Sequence, residues 1–238
     1  MPPEFLEAAE SFLLAVGREE DLSPFRERLA EVGENRLSEV LSTRDSTTAF
    51  WLDVYNAVVG RCSGTIPRCW NRVGIVRPVF RRPLVTVTGQ DLGLDDVEHG
   101  LLRGSKLGWG QGYLPDPFPD AFERRFRVSS VDPRVHFALN PGAASCPPIA
   151  VYRAGEVDGQ LDLASEASLE TESDYDPESN VVRAPRLVFR YRGDFGGGRG
   201  TREFLRRYDV IPEGASPRVR YRSCDWSLEL GRFRESGF

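Results

Sequence analysis

Imidazole and thiol chemistry can arise at only six positions in this chain: His99 and His136, and Cys62, Cys69, Cys146 and Cys224. His136 and Cys146 share one stretch, V-D-P-R-V-H-F-A-L-N-P-G-A-A-S-C-P-P-I, from Val131 to Ile149. Val135, Phe137 and Leu139 alternate there with His136, Ala138 and Asn140. That period of two predicts a short strand with His136 and Asn140 on one face. Asn140-Pro141-Gly142 ends it, and a tight loop then delivers Ser145 and Cys146. An imidazole and a thiol presented in this way suit a nucleophile and its base. Cys146 is the candidate nucleophile and His136 the candidate base, with Glu98 or Asn140 to orient the imidazole. A thiol has a pKa of ~8.5, and a nearby imidazolium lowers it so that thiolate exists at neutral pH. The backbone amides of Ala144 to Cys146 are candidates for an oxyanion hole. Histidine precedes cysteine here, the reverse of papain-like enzymes, but such constellations are defined by geometry rather than chain order. The chemistry implied is that of a hydrolase or acyl transferase acting on an amide, peptide or thioester.

The elements that must position these residues follow from periodicity. Phe5, Ala8, Ala9, Phe12, Leu13 and Val16 share one helical face. Ser23-Pro24 starts a second helix by capping and a first-turn proline, and Leu37, Val40 and Leu41 fit a third. Trp51, Val54, Tyr55 and Val58, widened by Leu52, Asn56 and Val59, predict a central helix apolar on most sides. Asn56 within it needs a definite partner, because an unpaired buried amide costs roughly 1–3 kcal/mol. It either pins a neighbouring loop or orients a catalytic group or substrate. Residues 61 to 83, rich in Arg, Pro and Gly, read as an irregular excursion. Leu84 to Thr88 reads as a strand. Leu94, Val97, Glu98 and Leu101 then form a helical stripe that turns Glu98 inward, where a carboxylate requires a cation or several donors. His99 lies on the flank of that helix near Asp95. Together with Asn56, Ser145 and Arg134 it is a candidate binding residue.

Residues 104 to 130 read as a long loop, of the kind that serves as a lid or binding loop. Glu156 to Leu169 reads as a helix, and residues 180 to 191 and 218 to 222 as late strands. Gly196 to Gly200 reads as a flexible loop without the G-K-[ST] ending of a phosphate loop, with Thr201 capping a short helix after it. The expected fold is α+β in a single domain: an N-terminal helical part over residues 1–44 packed on a small, largely antiparallel sheet that the late strands join.

The 238 residues carry 40% apolar and 28% charged side chains and a net charge of −5. That charge disfavours nucleic-acid binding. No apolar run approaches the ~20 residues of a membrane span. Acids stand where a signal peptide has bases, so a cytoplasmic protein is expected. The cysteines form no paired C-x-x-C knuckles. No cofactor is expected. A zinc site from Glu98, His99, His136 and Cys146 is an alternative, opposed by the ~100° that separates neighbouring residues on an α-helix. A non-catalytic interaction module is the other alternative, with His136 and Cys146 purely structural.

A-F-W-L-D-V-Y-N-A at 49–57, V-T-G-Q-D-L-G-L-D-D-V-E-H-G-L-L-R at 87–103, the D-P-R-V-H-F-A-L-N-P-G-A-A-S-C-P-P-I stretch at 132–149 and C-D-W-S-L-E at 224–229 together resemble domain-of-unknown-function family 547. The resemblance runs from about residue 45 to the C-terminus. It implies marked positions at Asn56, Glu98, His99, His136, Asn140 and Cys146, and no settled activity. Pro141 stands where relatives often have cysteine, and Cys224 where they often have tyrosine. Plant relatives resemble adaptor proteins, which implies a possible protein partner, but their coiled-coil extension has no counterpart here.

Overall fold

The computed structural model describes residues 3–61, 80–142, 146–223, 227 and 232–233. Ser145, the cysteines at 62, 69 and 224, most of the expected 61–83 excursion and most of the tail motif lie outside the described residues.

Helices α1 (Pro3–Gly17), α2 (Ser23–Glu31) and α3 (Glu34–Val40) form the N-terminal layer. Of these, α1 packs on α4 (Arg44–Arg61), whose residues from Ser46 to Gly60 are all buried, while α2 and α3 pack against α1. A helix apolar on every side must lie in the interior. Its start is fixed by reciprocal bonds: the Ser46 amide donates to Thr43 Oγ1 and the Thr43 amide to Ser46 Oγ, each at 3.1 Å. That is the capping-box principle with two hydroxyl residues.

Strands β1 (Val85–Val87) and β2 (Gln90–Leu92) form an antiparallel hairpin with Val85 opposite Leu92. Its turn residues Thr88 and Gly89 both have positive φ, at 50° and 74°, as a two-residue hairpin loop requires. Their amides donate to the carbonyls of Leu29 and Ala30 at 3.0 and 2.9 Å, satisfying groups that the end of α2 leaves open.

The expected helix after β2 is present, but Asp96–Leu102 is a π-helix rather than an α-helix. The long loop expected over 104–130 holds α5 (Ala121–Phe126), whose cap is the Asp120 carboxylate accepting from the Glu123 amide at 2.7 Å. The strand expected around His136 is instead a 3-10 helix, Pro133–Phe137. Asp132 caps it by accepting from the Arg134 amide, and Pro133 pre-sets its first turn. Those start signals outweigh the alternating pattern, which at five residues is too short to decide.

Helix α6 (Val157–Glu172) follows, and then β3 (Asp174–Asp176), β4 (Val181–Ala184), α7 (Arg186–Arg190), α8 (Gly197–Arg207) and β5 (Arg218–Tyr221). The late strands do not join the hairpin. They make a separate three-stranded sheet, β3 antiparallel to β4 and β4 parallel to β5. Residues 186–190 are helical, and the expected glycine loop is the first turn of α8, which places Thr201 buried inside that helix.

Two apolar cores result. The larger gathers the N-terminal helices, α4, the hairpin and the π-helix; the smaller gathers α8, β4, Val188, Tyr191 and Phe195. The Pro133–Leu139 segment joins them, with Val135, Ala138 and Leu139 in the first and Phe137 in the second. His136 therefore stands at the seam.

Candidate functional site

Three inward-facing polar side chains of α4 tie the helix to different segments. Trp51 Nε1 donates to the Phe126 carbonyl at 2.9 Å, and Asp53 accepts from the Tyr152 amide at 2.9 Å. Asn56 Nδ2 donates to the Ala138 carbonyl at 3.1 Å and its Oδ1 accepts from the Asn140 amide at 3.1 Å. Asn56 thus takes the loop-pinning role. Asn140 continues the chain of contacts: its amide group donates to the Pro147 carbonyl at 2.7 Å and its oxygen accepts from the Gly142 amide at 2.7 Å. Asn140 thus bonds to the chain on either side of Cys146 and, among the described residues, makes no hydrogen bond to His136. Cys146 itself is half-buried against the larger core, and Arg232 donates to its carbonyl.

A network of ionisable groups fills the seam between the cores. The Tyr191 hydroxyl donates to Glu98 Oε1 at 2.6 Å, and Tyr55 approaches Glu98 Oε2 at 3.4 Å. Arg190 Nε donates to the Tyr191 hydroxyl at 3.0 Å. Arg103, with a fully buried side chain, donates from Nε to Asp194 Oδ2 at 2.7 Å and from Nη1 to His99 Nδ1 at 2.9 Å, and lies over the Tyr191 ring. His136 Nε2 donates to Asp194 Oδ2 at 2.9 Å, and its ring stacks on Tyr191 at 3.7 Å. The group that orients His136 is therefore Asp194, not Glu98 or Asn140. Asp194 lies in R-Y-R-G-D-F-G-G-G, a run that glycine content marks only as a turn.

The tautomers follow from the partners. A guanidinium only donates, so His99 Nδ1 accepts and its Nε2 carries the proton. A carboxylate only accepts, so the neutral His136 has its proton on Nε2 and a bare lone pair on Nδ1. That Nδ1 is buried and, among the described residues, has no hydrogen-bond partner, and neither have Asp194 Oδ1 and Arg103 Nη2.

Burial lowers the pKa of both histidines; nearby carboxylates oppose the shift and Arg103 reinforces it. Both imidazoles are accordingly neutral at pH 7. Burial pushes Glu98 up, but His99 when charged, the Tyr191 hydroxyl, Arg103 and Arg190 outweigh it and hold it at about 2. Burial and then the charges of Glu98, Tyr191 and Cys146 raise the Tyr55 phenol well above its ordinary value. Cys146 is thus within electrostatic reach of the Tyr55–Glu98 end of the network.

The wider π turn explains how Glu98 and His99, neighbours in sequence, both enter one network; π-turns of this kind concentrate at functional sites. Glu98 Oε1 is 3.4 Å from His99 Nδ1. Arg134 grips Asp132, Asp158 and Asp162 and fastens α6 to the 3-10 turn. Among the described residues, no three His, Cys, Asp or Glu side chains are placed to hold a metal ion together.

The loop after the π-helix covers this network. Gly108 packs edge-on against His99, where an added Cβ would stand 2.5 Å from the ring. Further along, the Gln111 carbonyl accepts from the Gly193 amide at 2.8 Å, and Lys106 Nζ donates to the Gly112 carbonyl at 3.0 Å. Beside this cover, His99, Asp95 and Trp109 line a cleft of about 420 Å³.

Fold and site together define an α+β protein in which a network of histidines, arginines and carboxylates lies where two cores meet. The chain belongs to the family described as "Protein of unknown function, DUF547", whose model matches residues 39–168. No curated protein and no solved structure matches the chain. The matched segment contains Asn56, Glu98, His99, Arg103, His136, Asn140 and Cys146, while Tyr191 and Asp194 come from beyond it. Among the described residues, no helix is long and apolar enough to cross a membrane.

Proposed function

We propose that the protein is a thiol-dependent hydrolase or acyl transferase, with Cys146 as nucleophile and His136 as its base, acting on an amide, peptide or thioester. The observation that carries this reading is the Asp194–His136 pair, 2.9 Å apart, which fixes one imidazole nitrogen and leaves the other as a buried, unshared lone pair. A carboxylate holding an imidazole in one tautomer with the opposite nitrogen available is the form a general base takes. Cys146 stands between Gly142 and Pro147, both bonded by the Asn140 side chain, and near the same network. Because His136 is neutral at rest, it acts by accepting the thiol proton during attack rather than by maintaining a thiolate beforehand. For this, Sγ of Cys146 must reach Nδ1 of His136 when substrate binds. The thiol proton passes to Nδ1, sulfur bonds to the carbonyl carbon, and the imidazolium returns the proton to the departing amine or thiol. Water or a second acceptor then releases the acyl group.

The test is acylation of the full-length protein by p-nitrophenyl acetate and by a simple acetyl thioester, with the modified cysteine located by peptide mass spectrometry. Cys146 should be acylated faster than Cys62, Cys69 and Cys224, and both His136→Gln and Asp194→Asn should slow it by about tenfold or more while the fold persists. Equal acylation of all four thiols, or rates at Cys146 indifferent to both substitutions, would falsify the reading.

One observation favours a second reading, the non-catalytic interaction module: the His136 side chain is only 1% exposed and that of Asp194 is fully buried. Under it, both substitutions lower thermal stability and leave Cys146 chemistry untouched.

A further inference from the structure

The cleft beside His99 sits next to the most apolar exposed surface among the described residues. Of the five large apolar side chains that are exposed, four stand within residues 109–118: Trp109, Tyr113, Leu114 and Phe118, with Trp109 61% and Phe118 87% exposed. The segment carrying them is firmly built. The Leu107 amide donates to the Leu114 carbonyl at 2.9 Å, the Asp116 amide to the Ser105 carbonyl at 2.7 Å, and Lys106 bridges to Pro115. Folding has therefore left these rings outward on a fixed support, and exposed apolar clusters of this kind mark interaction surfaces.

Among the described residues, the charge beside them is mainly negative. Asp91, Asp95, Asp96, Asp116, Asp120 and Glu123 line the cleft, against Arg81 and Lys106 as the lining cations. Both cations are already engaged, Arg81 with Asp95 at 3.4 Å and Lys106 with the Gly112 carbonyl. Trp109 and Phe122 supply aromatic walls to the same cleft. Carboxylates and an indole face around a space of this size suit the long stem and cationic head of arginine or lysine. Its volume accepts one or two such side chains rather than a whole domain.

We infer that this cleft and the adjoining aromatic edge dock a basic peptide segment, an arginine or lysine entering the cleft while apolar neighbours rest on Trp109, Leu114 and Phe118. The site is distinct from the Cys146 loop and holds whether or not that thiol reacts. Acidic partners, nucleic acids included, are repelled by the same carboxylates.

Fluorescence anisotropy of the full chain with a short labelled peptide of alternating arginine and leucine tests this. Counterparts with glutamine or with glutamate in place of arginine are the controls. The arginine peptide should bind about tenfold more tightly than the glutamine peptide, weaken as salt is raised, and lose about tenfold on Trp109→Ala. The Asp91→Asn/Glu123→Gln double variant should weaken it without altering the thermal melt. Equal binding of the glutamine peptide, or binding unaffected by both variants, overturns the inference. So does self-association of the chain that Trp109→Ala abolishes while the arginine peptide fails to bind, since the surface would then serve a second copy.

Discussion

Asn56 shows how much a single side chain carries. Its amide satisfies the Ala138 carbonyl and the Asn140 amide at once, both inside the protein. Replacing it with leucine, similarly branched but apolar, leaves both backbone groups unpaired, at about 1–3 kcal/mol each. Asn56→Leu should therefore destabilise by about 2–6 kcal/mol in urea titrations, and a loss under about 1 kcal/mol would show that water or another polar group replaces the amide. The need for such a partner was legible from an amide on an apolar helix. The demand of Glu98 for donors was legible too, but not their identity: the Tyr191 and Tyr55 hydroxyls reach it from distant segments. Asp194 was hidden for the same reason. Nothing in a glycine-rich run says that one aspartate will turn inward to meet an imidazole and a guanidinium.

At the scale of elements, sequence reading held where the periodic signal was long. The three N-terminal helices, the central α4 and α6 were all expected where they occur, because each repeats its apolar spacing over several turns or carries a start signal. It failed at short segments, where a cap or a tertiary partner decides: Asp132-Pro133 imposed a 3-10 turn on an alternating pattern, and the glycines before Thr201 became helix. The cover loop is another such case, since glycine there means close approach rather than flexibility. An alanine Cβ at position 108 would lie 2.5 Å from His99 Cδ2 and 2.6 Å from Nε2, and Arg103 restrains the ring from moving aside. Gly108→Ala should cost about 1–3 kcal/mol, the ordinary price of overpacking. The cause is checked by a double-mutant cycle: in a His99→Ala background the penalty should largely vanish. An undiminished penalty would place the strain in the loop's own backbone.

For the whole molecule, the buried titratable groups set how stability follows pH, and they pull in opposite directions. Both histidines have folded pKa values below their unfolded value, chiefly through burial. As pH falls through the unfolded histidine value of about 6.5, the unfolded chain takes up protons that the native protein does not, and stability drops. Each histidine contributes at most about 1.4 kcal/mol per pH unit. Asp53 works the other way: burial raises its pKa well above the ordinary carboxylate range, against the Tyr152 amide bond, so the native state gains a proton first and stability recovers as pH falls. Asp95, raised by burial, has the same sign. An asparagine at 53 still accepts from Tyr152 but cannot titrate. Asp53→Asn should therefore be more stable than the parent at pH 8 and should lose stability more steeply between pH 8 and 5.5, while His99→Gln should flatten the parent's decline. Urea titrations across that range decide it. Parallel curves for Asp53→Asn and the parent would mean that Asp53 carries no native-state proton within this window, and the histidines alone would then govern the acid limb.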